Sequence, residues 1–223
     1  MIRRTTVRPS GVRFRKSISQ WRNNLNGFPA FILGNAPSLN DFDLSKLNNF
    51  FTIGINRAIY KIDPTILFWQ DQDVYNYEKH LIDKSKAIKV CRDVSDPMGK
   101  FFHFKLKRGF YKRSNNPAIL QGRGSSGPLA VQFAAALGCK PIYLIGMDCL
   151  TRDGDTDFYG KNIFWRKHTR KNCITGLKWI NGTFSDIGVF NLSKRKDINY
   201  DKIIIENKKH KKSRDFYLKK LFS

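Results

Sequence analysis

Short apolar runs that end in glycine or polar residues recur along the chain and predict β-strands. The runs are rich in aromatic and β-branched residues, which favours buried strands over helices of the same length. The five clearest runs are residues 29–33, 50–55, 65–69, 87–91 and 141–145. Runs that are apolar at nearly every position are typical of a parallel sheet that is covered on both faces.

Helical signals lie between these strands. The apolar segment 128–137 has Pro128 at its start, where proline is tolerated, and Gly138 after its end, where glycine caps a helix. Leu44 and Leu47 stand at helical spacing and predict a short helix. The alternation predicts an α/β fold, a Rossmann-like and mostly parallel sheet with helices on both faces. The ligand site of such a sheet lies beyond the carboxyl ends of its strands.

An excess of positive charge marks both ends of the chain and one internal segment. The 223 residues include 41 Lys and Arg against 18 Asp and Glu, a formal net charge of +23. We expect a basic N-terminal extension at 1–26, an α/β domain at 27–205 with an irregular basic and aromatic insertion at 92–121, and a basic tail at 206–223. Because such a surface attracts polyanions, nucleic acid, an anionic membrane surface and phosphorylated substrates are the candidate partners.

Two stretches without Asp or Glu, 97–147 and 158–185, concentrate these cations. The residues expected to contact nucleic acid are Lys105, Lys107, Arg108, Lys112, Arg113, Arg166, Lys167, Arg170 and Lys171. Aromatic residues stand among them, namely Phe101, Phe102, Phe104, Phe110 and Tyr111. Aromatic side chains beside cations suit stacking on exposed bases, although a place in the core explains them equally well.

Nothing in the sequence indicates a structural metal, a disulfide framework or a membrane span. The four cysteines have neither CxxC nor zinc spacing. The charged N-terminus lacks the apolar core of a signal peptide, and no apolar run approaches the roughly 20 residues that span a bilayer. We therefore expect a cytoplasmic protein.

Two glycine-containing loops carry the candidate chemistry. Residues 34–39, Gly-Asn-Ala-Pro-Ser-Leu, follow the first strand, where glycine permits a sharp turn and the next amides can bind an anion. Residues 122–127, Gly-Arg-Gly-Ser-Ser-Gly, precede the apolar helix, where Arg123 adds charge-assisted hydrogen bonds to a phosphate. Neither loop is a GxGxxG or Walker motif, so a structural turn and a flexible connector remain the alternatives.

Two further residues have chemistry suited to a site. Asp148 follows the strand at 141–145 and suits a ribose contact, an acceptor contact or a base, with a surface turn as the alternative. His168 is a candidate general base, although a lone histidine among cations is more often a surface residue. Asp153, Asp155 and Asp157 lack the late glutamate of a calcium loop and predict a polar turn.

Three blocks in this order resemble a known superfamily. Residues 31–39 resemble the GNGPSL segment of the bacterial lipooligosaccharide sialyltransferases, and equally a domain of unknown function that includes archaeal pterin pyrophosphokinases and many phage proteins. Residues 124–148 resemble the shared TSG…AIALGYKEIYLIGID block, and 188–193 resemble the closing GIKIYNLSP strand. The resemblance spans 29–193 and marks the superfamily rather than the reaction.

The resemblance implies roles for individual residues. Donor binding falls to Gly34, Asn35, Pro37, Ser38, Asn56, Arg123, Gly124, Ser125, Ser126 and Gly127. The catalytic roles fall to His168 as the base, Asp148 on the ribose or acceptor side, and Tyr159 at the departing phosphate. By resemblance the cofactor requirement is a nucleotide-sugar donor and no metal.

The implied activity is transfer of a sugar from a nucleotide-sugar to a hydroxyl, with a hydroxymethylpyrimidine in phage DNA as the expected acceptor and an infected host cell as the setting. Three alternatives stay open. An ATP- and Mg²⁺-dependent pyrophosphokinase would use Asp71, Asp73 and Asp148. A non-catalytic nucleic-acid-binding protein would keep the basic surface. A glycan-modifying enzyme at a membrane surface would use the tail as an anchor.

Overall fold

A computed structural model describes residues 17–92, 94–96, 99–149, 151–162, 167–194 and 197–223. The strands are β1 (Ala30–Leu33), β2 (Thr52–Ile55), β3 (Ile66–Trp69), β4 (Ile88–Cys91), β5 (Phe102–His103), β6 (Lys105–Arg108), β7 (Ile119–Gly122), β8 (Ile142–Ile145) and β9 (Val189–Asn191). The α-helices are α1 (Gln72–Lys84), α2 (Ser126–Ala136), α3 (Lys167–Thr183), α4 (Tyr200–Glu206) and α5 (Arg214–Phe222). No helix in the described ranges is long and apolar enough to cross a membrane.

Seven strands form one sheet in the order β5-β4-β3-β2-β1-β8-β9, and every neighbouring pair is parallel. β6 and β7 form a separate parallel pair. The predicted Rossmann-like α/β class is therefore confirmed. Because the chain leaves β1 toward β2 and returns on its other side as β8, the order of the sheet reverses between β1 and β8. Ligands bind at such a reversal, beyond the carboxyl ends of the strands.

Alternate residues of β1 enter two different cores, one on each face of the sheet. Ala30 and Ile32 belong to the larger core, which includes residues of α2, α3 and α5. Phe31 and Leu33 belong to a second core with α4 and the short 3₁₀ helices Pro37–Asp41 and Leu44–Leu47. The sheet is thus covered on both faces. The short helix predicted from Leu44 and Leu47 is present as the 3₁₀ helix Leu44–Leu47.

The basic ends and the insertion take part in the fold. Trp21 of the expected N-terminal extension and Leu221 of the expected tail are both fully buried. Phe102 lies between them, with ring centroids 4.7 Å from Trp21 and 5.6 Å from Phe222. Residues of both expected extensions therefore pack into the described fold, and the segment 92–121 supplies β5, β6 and β7.

β1 and β8 are locked together just beyond their carboxyl ends. The Gly34 amide donates to the Ile145 carbonyl at 2.8 Å, and the Ala36 amide donates to the Gly146 carbonyl at 2.9 Å. A Cβ on Gly34 would lie 2.2 Å from the Gly146 oxygen. The side chain of Met147 fills the space beside this contact. Its Cγ would lie 2.6 Å from a Cβ on Gly34, and its Sδ would lie 2.8 Å from a Cβ on Gly127. Glycine is therefore required at residue 34 by close packing.

We expect Gly34→Ala to destabilise the protein by about 3 kcal/mol, because the added methyl group must push two loops apart. For a chain of this size that corresponds to a melting temperature lower by roughly 10 °C. Gly182→Ala is the matched control, because a Cβ at Gly182 meets nothing within 4 Å. Thermal unfolding followed by circular dichroism compares the two variants, and equal melting temperatures would refute the packing argument.

Candidate functional site

A cavity of about 530 Å³ lies at the carboxyl ends of β1, β2, β3 and β8. Its wall brings together most of the predicted site: Gly34, Asn35, Asn56, Arg123, Gly124, Ser125, Ser126, Gly127, Tyr159 and His168. A volume of this size suits a nucleotide-sized ligand. Pro37, Ser38 and Asp148 lie outside the cavity wall. We refer to this space as the main cavity.

The start of α2 forms one wall of the main cavity. Ser125 stands at the N-cap position without a side-chain cap, and the first turn of α2 holds no acidic residue. The first amides of the helix therefore remain available to an anion, with the positive end of the helix dipole behind them. Gly124, with φ of 83°, carries the chain into this turn.

Gln70 at the end of β3 fixes this loop. Its amide nitrogen donates to the Gly124 carbonyl and to the Ser126 hydroxyl oxygen, both at 2.8 Å. Because the Ser126 oxygen accepts from Gln70, its own proton is free to point at a ligand. Gln70 is buried, and its amide oxygen accepts from Arg92 at 3.4 Å. Sequence reasoning missed Gln70.

Two asparagines present unpaired oxygens at this site. The side-chain oxygens of Asn35 and Asn56 are buried and have no partner among the described residues. Asn56 also has φ of 49°, a left-handed conformation that asparagine tolerates better than most residues. A buried acceptor without a donor costs free energy unless a ligand or water supplies one. Both oxygens therefore suit the amino or hydroxyl groups of a nucleoside.

Arg57, an arginine paired with a carboxylate, also lines the main cavity. Arg57 bonds the buried Glu78 through Nε, and its Nη1 donates to the Tyr159 hydroxyl oxygen at 3.1 Å. The Arg57 guanidinium also lies 5.1 Å from the centre of the Tyr159 ring. Loss of hydration raises the pKa of Tyr159 to about 12, so its hydroxyl keeps its proton at neutral pH and can donate. Sequence reasoning missed Arg57 and Glu78.

The segment 151–162 closes over the first loop. Arg152 makes two hydrogen bonds to Asp41, at 2.8 and 2.7 Å. The Phe158 amide donates to the Asn35 carbonyl at 2.7 Å. These contacts hold Tyr159 and Asp157 in the cavity wall, where burial raises the pKa of the Asp157 carboxyl. The predicted polar turn is present as two tight bridges, Arg152 with Asp155 and Asp157 with Gly160.

His168 lies at the mouth of the main cavity. It is an exposed residue in the first turn of α3, and it lines both the main cavity and a second cavity beside it. An exposed imidazole at the junction of two cavities can reach a molecule in either one.

Asp148 is placed differently from the other predicted catalytic residues. It is buried behind Met147, and its Oδ1 has no partner among the described residues. Burial raises the pKa of its carboxyl above the ordinary range of aspartate. Ser38, also predicted to bind the donor, is buried beside Asp148, and its hydroxyl opposes this rise in pKa. Neither side chain lines the main cavity, so direct contact with a ligand there falls to the other residues.

Cys149 and Cys173 line the main cavity, a position that their spacing in the sequence does not indicate. The hydrogen bond between the two thiols, together with burial, raises the pKa of Cys149. Cys149 therefore stays a neutral thiol at physiological pH. The described residues hold no group of three His, Cys, Asp or Glu side chains arranged to bind a metal ion.

The expected nucleic-acid contacts divide into three groups. Those that are exposed are Lys105, Lys107, Arg108, Lys112, Arg170 and Lys171, for which contact with nucleic acid stays a prediction. Arg113 makes two hydrogen bonds to Asp186 and lies over the Phe184 ring, so a carboxylate of the protein already neutralises its charge. Arg166 and the side chain of Lys167 lie outside the described residues.

The aromatic residues of the segment 92–121 belong mainly to the fold. Phe101 and Phe104 are buried, and Phe102 packs on Trp21. Tyr111 stacks on Trp179 with centroids 5.1 Å apart. Phe110 is the exception, because it is 87% exposed. The core explanation therefore holds for four of the five aromatic residues, and stacking on bases stays a prediction for Phe110.

Comparisons with known proteins gave one family and several solved structures. The family model described as 6-hydroxymethylpterin diphosphokinase MptE-like matches residues 10–154. A structure of the sialyltransferase CstII from Campylobacter jejuni with cytidine-5'-monophosphate is 19% identical, with a TM-score of 0.45, over 75% of this chain and 80% of that chain. A structure of CST-II with trisaccharide acceptor and CMP is 21% identical, with a TM-score of 0.43, over 74% and 81%. No curated protein matched the chain.

We expect Gln70→Met to weaken nucleotide binding about tenfold, because both hydrogen bonds that hold the Gly124–Ser126 turn are lost. Titration calorimetry with a panel of nucleoside mono- and diphosphates measures the change. Gln132→Met is the matched control, because Gln132 is also buried and bonds the Gln121 backbone but does not line the cavity. Equal affinities of the two variants would show that Gln70 does not shape the site.

Proposed function

We propose that this chain, which belongs to the family described as 6-hydroxymethylpterin diphosphokinase MptE-like, is a glycosyltransferase that uses a nucleotide-sugar donor. The matched stretch ends at residue 154, so it contains both glycine loops but neither Tyr159 nor His168. The residues that match the family therefore include the two loops suited to bind a nucleotide. The groups suited to transfer chemistry lie after the matched stretch.

One observation carries the proposal. The main cavity is lined by a helix N-terminus that suits a phosphate, two unpaired asparagine oxygens, a protonated tyrosine and a histidine. The nucleoside end of a donor suits Asn35 and Asn56, which accept hydrogen bonds. Its phosphate suits the α2 amides with Ser125 and Ser126. Arg123 at the same loop supplies positive charge, and Arg57 holds the Tyr159 hydroxyl in the cavity wall.

The reaction then follows from the order of these groups. The acceptor oxygen attacks the anomeric carbon and forms the new glycosidic bond. The bond from that carbon to the phosphate oxygen breaks, and its electron pair stays on the departing nucleotide. His168 takes the proton of the acceptor hydroxyl. Tyr159 and the cations stabilise the negative charge that builds up on the leaving phosphate, as preorganised donors do in transfer reactions.

The acceptor in this proposal is a hydroxyl on a polyanion, with a hydroxymethylpyrimidine of DNA as the specific candidate. The support is electrostatic, because the chain has a net charge of +23 and two exposed cations of its acid-free stretches, Arg123 and Arg170, line the main cavity. The alternative in which the tail anchors to a membrane has less support. Leu221 is fully buried, and the Phe222 ring centroid lies 5.4 Å from that of Trp21.

A diphosphokinase is the second candidate, favoured by the family and by two carboxylates. Asp71 and Asp73 line the main cavity. A Mg²⁺ ion often binds through one or two carboxylates together with substrate phosphates, so these residues fit such an ion better than the outlying Asp148 does. Mg²⁺ would there neutralise the charge of a transferred diphosphate.

The deciding experiment incubates the protein with DNA that contains 5-hydroxymethylpyrimidines and a panel of nucleotide sugars, with and without EDTA. Mass spectrometry of the released nucleosides detects any sugar increment. An increment that survives EDTA supports the proposal and identifies the donor. Parallel reactions with ATP, Mg²⁺ and hydroxymethylpterin test the second candidate. Diphosphate transfer abolished by EDTA, with no sugar transfer, would replace the first proposal by the second.

We expect His168→Ala to lower the turnover number about 100- to 10,000-fold while donor affinity stays unchanged, because general base catalysis is lost. His80→Ala is the control, since His80 is exposed on α1 and lines neither cavity. Asp148→Asn should keep most of its turnover, because Asp148 lies outside the cavity wall. Full turnover of His168→Ala would show that the base is another residue, and loss of turnover in Asp148→Asn alone would move the base to Asp148.

A further inference from the structure

A second cavity of about 530 Å³ adjoins the main cavity. The two share Asp71, Arg123, Gly124 and His168, so a molecule in one can meet a molecule in the other at His168. The remaining wall of the second cavity is Arg92, Arg108, Gly109 and Phe110. If the main cavity holds the donor, the second cavity is where an acceptor meets it.

The second cavity is cationic. Three guanidinium groups, those of Arg92, Arg108 and Arg123, face the single carboxylate of Asp71. Arg92 Nη2 lies 3.7 Å from Asp71 and is partly neutralised. Arg108 and Arg123 are exposed and make no ion pair with any residue in the described ranges. Guanidinium groups that lack a protein partner are well suited to a phosphate oxygen pair.

An exposed aromatic ring stands at the edge of these cations. Phe110 is 87% exposed, whereas Phe101 and Phe104 of the same segment are buried. It follows Gly109, whose φ of 132° is open to glycine and not to other residues, so the chain turns sharply before the ring. A flat apolar ring beside phosphate-binding cations matches the face of a nucleobase next to its backbone.

The positive charge extends beyond the second cavity. Lys105 and Lys107 lie on one face of β6 and Arg108 lies on the other face at the end of the strand, and all three are exposed. Lys112, two residues after Phe110, is exposed as well. A single small phosphate would need none of these lysines, whereas a strand with several phosphates would contact them in sequence.

We propose that the second cavity is the acceptor site and that it takes one unpaired nucleotide of a nucleic-acid strand, with its base on Phe110, its phosphate on Arg108 and the flanking backbone along Lys105 and Lys107. The inference rests on the proposed function for the direction of transfer, but the binding site itself does not. A base in an intact duplex is stacked on both faces, so contact with Phe110 requires a single strand or a flipped base.

The test measures binding of fluorescent oligonucleotides by anisotropy, without any donor. The wild-type chain should bind a single strand more tightly than the duplex of the same sequence, and an abasic strand more weakly. Phe110→Ala should lower affinity for the single strand roughly tenfold and abolish its advantage over the abasic strand. Phe110→Trp should restore both, because stacking is retained. Melting temperatures should not change, since the ring is exposed.

Charge is tested separately. Lys105→Ala/Lys107→Ala should reduce the salt dependence of binding by about two phosphate contacts. The control Lys208→Ala/Lys209→Ala removes the same charge from the C-terminal segment, which lines neither cavity, and should leave that dependence nearly unchanged.

Each outcome bears on one conclusion. Equal binding of abasic and normal strands, or no effect of Phe110→Ala, overturns the proposed nucleotide site. Loss of binding to phosphatidylserine vesicles in these variants, with oligonucleotide binding unaffected, would assign the patch to a membrane surface and also overturn it. If the Phe110 effects appear but no nucleotide sugar is consumed, the nucleic-acid-binding site is supported and the proposed glycosyl transfer fails.

Discussion

The close backbone contact between Gly34 and Gly146 is the constraint on which the site depends. It joins β1 to β8 at the point where the strand order reverses, and Met147 then fills the gap toward Gly127. The two glycine loops, at residues 34–39 and 122–127, are therefore held against one side chain. Because interiors are close-packed, neither loop can shift without the other. The geometry of the main cavity is a consequence of this packing rather than of any single binding residue.

Desolvation decides which of the many cations remain available. A guanidinium that loses water must gain a partner, and Arg57 lies against the buried carboxylate of Glu78. Arg113, which is partly buried, also has a carboxylate partner, at Asp186. The exposed cations of β6 stay hydrated and need none. The cations without a carboxylate partner therefore lie at the protein surface. Arg108, at the end of β6, lines the second cavity.

The strands could be predicted from the sequence because buried parallel strands are apolar at nearly every position, and all five expected runs contain one. Both glycine loops could also be placed, since strand ends in such a sheet converge. Gln70 could not be assigned, because its partners are 54 and 56 residues away and depend on the register of the fold. The same holds for the aromatic residues near residue 100, since local sequence cannot show that Trp21 and Phe222 come from opposite ends to pack on Phe102.

In the proposed transferase, the two cavities separate the recognition of the donor from the capture of the acceptor. Donor recognition needs buried, unpaired acceptors such as Asn35 and Asn56, whose discrimination depends on exclusion of water. Capture of a large anion needs exposed, hydrated cations that act at a distance. One surface cannot serve both requirements, because burial of the cations would demand carboxylate partners. A shared wall at Arg123 and His168 resolves the conflict, since the reacting groups meet where the buried site opens onto the charged one.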